Sequence, residues 1–148
     1  MHHKFLHVII CFVFLFLFSS FKPVAEEGIK INVTNLRSNN GNVLVSLFKD
    51  GVGYPDDATK AFRKTKLLIT DKKVSILFSN LPSGSYAISI LHDENDDQKM
   101  NKNGLGIPKE GYGFSNNVMG AFGPPSWSKT SFKHTANSLT QKDIRVRY

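Results

Sequence analysis

The sequence predicts an all-β domain, built as an antiparallel sandwich with one long loop. Three observations point there. Apolar and polar residues alternate with a period of two in several short runs, the pattern of strands with one face in a core and one in solvent. Clusters of turn residues separate those runs. No stretch carries a convincing long 3.6-residue period, so helices are not expected between the strands.

The runs follow in order along the chain. Ile29, Ile31 and Val33 alternate with Lys30, Asn32 and Thr34. The turn signal Ser38-Asn39-Asn40-Gly41 leads into Val43, Val45 and Leu47, and Asn-Gly between two alternating runs predicts a hairpin. Asp57 to Lys64 has room for a helical turn or two, and Leu67 to Ile69 is a short apolar run. Val74, Ile76 and Phe78 alternate after Asp71-Lys72-Lys73; Tyr86, Ile88 and Ile90 follow Pro82-Ser83-Gly84. Phe132 and His134 are placed for one more strand. Ile144, Val146 and Tyr148 share a face, with Arg145 and Arg147 pointing the other way. Six or seven short strands of this kind predict a Greek-key sandwich of immunoglobulin or transthyretin type. The segment Leu81–Tyr86, with tyrosine at a strand start, fits either a tyrosine corner or an ordinary turn beside a half-buried tyrosine.

The first 25 residues read differently. Met1 to His7 is polar and contains Lys4, Val8 to Phe18 is an unbroken apolar run, and Ser19 to Ala25 turns small and polar. The apolar run is well short of the roughly 20 residues that cross a bilayer, and it fits the hydrophobic segment of a signal peptide. Cleavage is expected after Ala25, although Pro23 at the −3 position fits poorly. That expectation divides the chain into a signal at 1–25 and a single domain at 26–148, exported to the periplasm or secreted, with no transmembrane segment. The one cysteine, Cys11, lies inside the apolar run. The mature domain therefore has no disulfide and relies on its core.

Of 19 basic and 12 acidic residues, the signal removes Lys4 and Lys22, leaving a net charge of +5. The lysines are scattered and not interleaved with aromatics, so nucleic-acid binding is not expected. A solubilising surface accounts for the charge.

Asp93 to about Lys129 breaks the pattern. It has no strand signal, six glycines, and the aromatics Tyr112, Phe114, Phe122 and Trp127. Loops of this length often carry function. It holds two long strings, His92-Asp93-Glu94-Asn95 and Gly106-Ile107-Pro108-Lys109-Glu110-Gly111-Tyr112-Gly113-Phe114-Ser115-Asn116-Asn117. With the Leu81-Pro82-x-Gly84-x-Tyr86 turn, these strings resemble the uncharacterised bacterial secreted family called domain of unknown function 2141, across about Ile29 to Tyr148. The resemblance implies an exported, β-sandwich-like bacterial domain. It implies no activity.

Asp93, Asn95 and Asp97 occupy positions 1, 3 and 5 of an oxygen-rich loop, with the Lys99 carbonyl and Asn101 at positions 7 and 9. That spacing suits Ca²⁺ at weak affinity, on the order of 10⁻⁴ to 10⁻³ M. Gln98 stands where a calcium loop of the EF-hand kind needs glycine, and Gly104 where it needs a bidentate glutamate. The alternative is an Asp/Asn turn satisfied by its own side-chain hydrogen bonds. No cofactor is otherwise required. His92, Glu110, Tyr112, Phe114 and Trp127 are candidate binding residues, or else a core histidine and aromatic anchors for the loop. The mature chain has no nucleophile elbow, zinc-protease motif or phosphate loop. The expected function is a non-enzymatic binding or structural module of the bacterial envelope, with an envelope or extracellular ligand. The alternative is a hydrolase of envelope or extracellular polymers using His92 and neighbouring carboxylates.

Overall fold

The computed structural model describes residues 25–121 and 123–148. Apart from Ala25, the expected signal peptide lies outside the described residues. Among those residues the chain forms eight strands: β1 (Gly28–Thr34), β2 (Asn42–Lys49), β3 (Arg63–Leu68), β4 (Val74–Phe78), β5 (Gly84–Asp93), β6 (Gly111–Phe114), β7 (Phe132–His134) and β8 (Leu139–Arg145). A single helical turn, α1, spans Trp127–Thr130.

The strands make two packed sheets. One has the order β4-β1-β8, the other β3-β2-β5-β6, and β7 also lies on β5. Alternation explains the core. Ile29, Ile31 and Val33 of β1, with Ile144 of β8 beside them, pack against Val43, Val45 and Leu47 of β2 and Tyr86, Ile88 and Ile90 of β5 in one buried cluster. Each fully buried aliphatic side chain of this kind contributes about 1.5–3 kcal/mol. Tyr86 lies in the same layer, and its hydroxyl donates to the Pro82 carbonyl at 2.7 Å. That is the hydrogen bond of a tyrosine corner.

Four expectations are corrected. First, Asn40-Gly41 does not close a hairpin, because β1 and β2 belong to different sheets. Gly41 has φ of +66°, and a Cβ there would lie 1.9 Å from the Asp93 carbonyl oxygen. The glycine serves a crossover pressed against the end of β5. Second, the sandwich is not wholly antiparallel, since β1 and β8 pair in parallel from Gly28–Leu139 to Thr34–Arg145. Third, β8 starts at Leu139. Its early positions carry Thr140 and Lys142 where the alternation calls for apolar residues. Lys142 still covers apolar surface, its ammonium 4.3 Å from the Phe132 ring centroid.

The fourth correction is β6, inside the segment expected to be a loop. Gly-Tyr-Gly-Phe is a poor strand sequence by propensity. Here the glycines permit close approach. A Cβ on Gly111 would stand 2.5 Å from the Tyr148 ring and from Val146, and one on Gly113 would stand 2.9 Å from Ile144. The residues after β8 run against β6, exchanging two backbone hydrogen bonds of 2.8 Å between Tyr112 and Arg147, and Val146 donates to Thr34 at 3.0 Å. This tail therefore joins the two sheets at one corner.

Gly111→Ala should lower stability by about 1–3 kcal/mol, the usual cost of overpacking. Gly104→Ala, where an added Cβ meets nothing within 4 Å, should change it by no more than about 0.5 kcal/mol. Urea denaturation midpoints check both, and equal shifts would show that β6 is not held by close approach.

Candidate functional site

The polar cluster sits at the end of β5. Strand alternation sends Ile88, Ile90 and then His92 to the inner face, and His92 pairs across to Val43 on one side and Gly111 on the other. His92 is fully buried. Its Nε2 lies 2.9 Å from the Asn40 carbonyl oxygen, and its Nδ1 lies 2.6 Å from the Tyr148 hydroxyl. A carbonyl only accepts, so Nε2 carries a proton, and in the neutral ring Nδ1 accepts from Tyr148. The Tyr148 oxygen in turn accepts the Arg37 backbone N–H at 2.9 Å. Both ring nitrogens are thus engaged. Burial raises the Tyr148 hydroxyl above its ordinary pKa.

The next two carboxylates also face inward contacts. Asp93 is fully buried, and its two oxygens accept the backbone N–H groups of Asp97 at 3.1 Å and Gln98 at 2.8 Å. Glu94 pairs with Arg37, whose Nε donates to Oε1 at 3.0 Å while a terminal nitrogen engages Oε2. The Arg37 guanidinium also donates to the Lys109 carbonyl at 3.0 Å and lies 4.4 Å from the Tyr148 ring centroid. The hydrogen bond from Arg37 holds the Glu94 carboxyl below its ordinary pKa, against the opposing effect of burial.

Glu110 completes the cluster. It is buried, and its oxygens accept the N–H groups of Glu94 at 3.0 Å and Asn101 at 2.9 Å. One carboxylate therefore fastens both sides of the Asp93–Asn101 turn. Within that turn the Asp97 carboxylate accepts the side-chain amides of Asn95 at 3.0 Å and Asn101 at 2.9 Å, and the Lys99 N–H at 2.9 Å. These bonds, that from Asn101 first, hold the Asp97 carboxyl below its ordinary pKa. Asp96 and Gln98 adopt positive φ of 62° and 61° to close the turn.

The five residues with calcium-ligand spacing are gathered on one turn, as the spacing predicts. The side-chain oxygens of Asp93, Asn95 and Asp97 accept N–H groups of the same turn. Among the described residues, no group of three or more His, Cys, Asp or Glu stands together as a metal cluster.

The candidate aromatics form one edge-to-face series through Tyr54, away from His92 and Glu110. Phe114 and Trp127 join Tyr54 and Phe48 on the outer face of the larger sheet, with centroids 5.4 Å apart for Phe48–Tyr54 and 5.6 Å for Tyr54–Trp127. Tyr112 lies edge-on to Phe114, with centroids 6.1 Å apart. Ser115, Asn116 and Asn117 are clamps. Ser115 links the Ile88 N–H to the Thr130 carbonyl, and Asn117 binds the backbone of Asp143 and Arg145. His92 and Glu110 meet at the loop mouth, while Phe114 and Trp127 sit on a separate face.

A family described as an uncharacterized protein conserved in bacteria, DUF2141, has a model that matches residues 31–142. The chain belongs to this family. No curated protein and no solved structure matches it. The matched span of this DUF2141 chain runs from within β1 into β8, so it contains the loop and its Glu110 latch.

Arg37, Ser38, Asn40 and Tyr148 complete the cluster and escape a sequence reading. Tyr148 carries a trace of signal, since it continues the register of Ile144 and Val146. The others lie more than fifty residues from their partners, and nothing local marks them.

The Glu94–Arg37 pair makes a pH-dependent contribution. Because the folded carboxyl is depressed, the pair stabilises the domain fully above about pH 4.5, and this is lost as pH falls through the folded pKa. Melting curves between neutral pH and pH 3 should therefore fall more steeply for the wild type than for Glu94→Gln. Parallel curves would mean that the pair contributes nothing.

Proposed function

We propose that this domain is a non-enzymatic module of the bacterial envelope, exported and then folded without disulfides or a cofactor. One observation carries the reading. The three buried groups suited to hydrolytic chemistry at the loop mouth already hold structure: both nitrogens of His92, both oxygens of Asp93 and both oxygens of Glu110 are hydrogen-bonded inside the protein. A general base needs a free lone pair within reach of a substrate proton. His92 has none to offer without losing Tyr148 or Asn40.

The apolar run at Val8 to Phe18 and the small residues after it support export. Among the described residues, no helix is long and apolar enough to cross a membrane. The return of β4 to the side of β1, after β2 and β3 in the other sheet, supports a Greek-key sandwich. The Tyr86–Pro82 hydrogen bond supports the same reading.

The test uses protein recovered from the envelope fraction of its bacterial host. Its intact mass should lack residues 1 to 25, and it should release no new reducing ends or amines from envelope polymers. Full-length chain confined to the cytosol would overturn export. Turnover that His92→Ala abolishes in a folded protein would replace the module with a hydrolase.

A further inference from the structure

The segment from Asn101 to Lys109 stands off the sandwich as a closed finger. Lys102 and Pro108 form an antiparallel bridge. The Lys109 N–H donates to the Asn101 carbonyl at 2.8 Å, and the Asn103 N–H to the Ile107 carbonyl at 2.9 Å. At the tip, the Gly106 N–H returns to the Asn103 carbonyl at 2.9 Å. The Asn103 side-chain oxygen accepts the N–H groups of Leu105 at 2.9 Å and Ile107 at 3.0 Å. Four backbone donors at the tip are thus bonded within the finger itself.

Two large apolar side chains project from it. Leu105 is 85 % exposed and Ile107 55 % exposed. Along the finger itself the charge has one sign: residues 98 to 109 contain Lys99, Lys102 and Lys109 and no acid, and the acids Asp96 and Asp97 lie behind its base, where Asp97 bonds Asn101. Among the described residues these lysines form no ion pair, the pairs involving Lys30, Arg37, Lys49, Lys60 and Lys66 instead.

We propose that this finger docks the protein on an anionic lipid surface, with Leu105 and Ile107 entering the boundary of headgroups and acyl chains and the three lysines facing the headgroups. Charge complementarity selects the partner, since basic side chains flanking an apolar tip match an anionic bilayer. The self-contained hydrogen bonding lowers the cost of entry, because lipid offers no partner for a bare N–H. The shape agrees. A Cβ added at Gly104 or Gly106 would meet nothing within 4 Å, so the tip is convex. Two side chains on a convex tip fall far short of the roughly 800 Å² per partner of a stable protein interface. The inference deepens the envelope-module reading and rests on it for access to lipid.

Co-sedimentation tests it, using protein from the host with vesicles of phosphatidylcholine, alone or mixed with phosphatidylglycerol. The wild type should bind only the mixed vesicles, less so as salt screens the lysines. The double variant Leu105→Ser, Ile107→Ser should bind at least about tenfold more weakly. Lys102→Gln and Lys109→Gln should each weaken binding about fivefold. Melting temperatures of all variants should match the wild type, because the altered side chains are exposed. A wild type that leaves both vesicles unbound would overturn the proposal, as would a double variant that binds equally well. If the protein is processed and envelope-located yet ignores the vesicles, the inference alone fails. If it is found full-length in the cytosol, the module reading fails whatever the vesicles show.

Discussion

One buried carboxylate holds the long loop in place. Glu110 accepts the N–H of Glu94 through one oxygen and the N–H of Asn101 through the other, and it is itself the residue before β6. Three segments meet there: the end of β5, the far side of the Asp-rich turn and the start of the glycine strand. A buried carboxylate is costly unless its oxygens are satisfied. Backbone N–H groups satisfy it here, and the turn gains a fixed anchor. The finger beyond Asn101 inherits its position from the same bond.

The arrangement shows how residues with catalytic reputations serve a fold. His, Asp and Glu lie together at the mouth of a strand, and each is engaged by the protein itself. His92 links the Asn40 crossover to Tyr148, Asp93 closes its own turn and Glu94 neutralises Arg37. Residues 26–148 contain no cysteine, so such contacts supplement the hydrophobic core where a disulfide would otherwise staple a long loop. The Arg37 guanidinium, packed on the Tyr148 ring and hydrogen-bonded to the Lys109 carbonyl, closes the cluster from outside.

The alternating strands were legible in the sequence because each buries one face. Ile29, Ile31 and Val33, or Tyr86, Ile88 and Ile90, reveal themselves by period alone. β6 was not, because its signal is negative: Gly111 and Gly113 leave room for Val146 and Ile144 rather than adding apolar bulk. The start of β8 was hidden for a related reason, with Lys142 lying along Phe132 in an inward position. Pairing was the least legible feature. Asn40-Gly41 has hairpin chemistry, yet the backbone of Asp93 and Glu94 presses on Gly41, and a contact between residues so far apart leaves no local mark. At the site, His92, Asp93 and Glu110 were readable as a set. Asn40 and Tyr148, the partners of His92, and Arg37, the partner of Glu94, were not, because long-range partnership has no spacing rule.

Amide hydrogen exchange on the wild type and Glu110→Gln tests the latch most directly. The glutamine keeps the size but removes the charge and one acceptor oxygen. The account predicts faster exchange at Glu94, Asn101, Asn103 and Ile107, with the amides of β2 and the centre of β5 unchanged, because local opening is independent of the core. Unchanged protection at Asn101 and Ile107, or a uniform loss across both sheets, would contradict it.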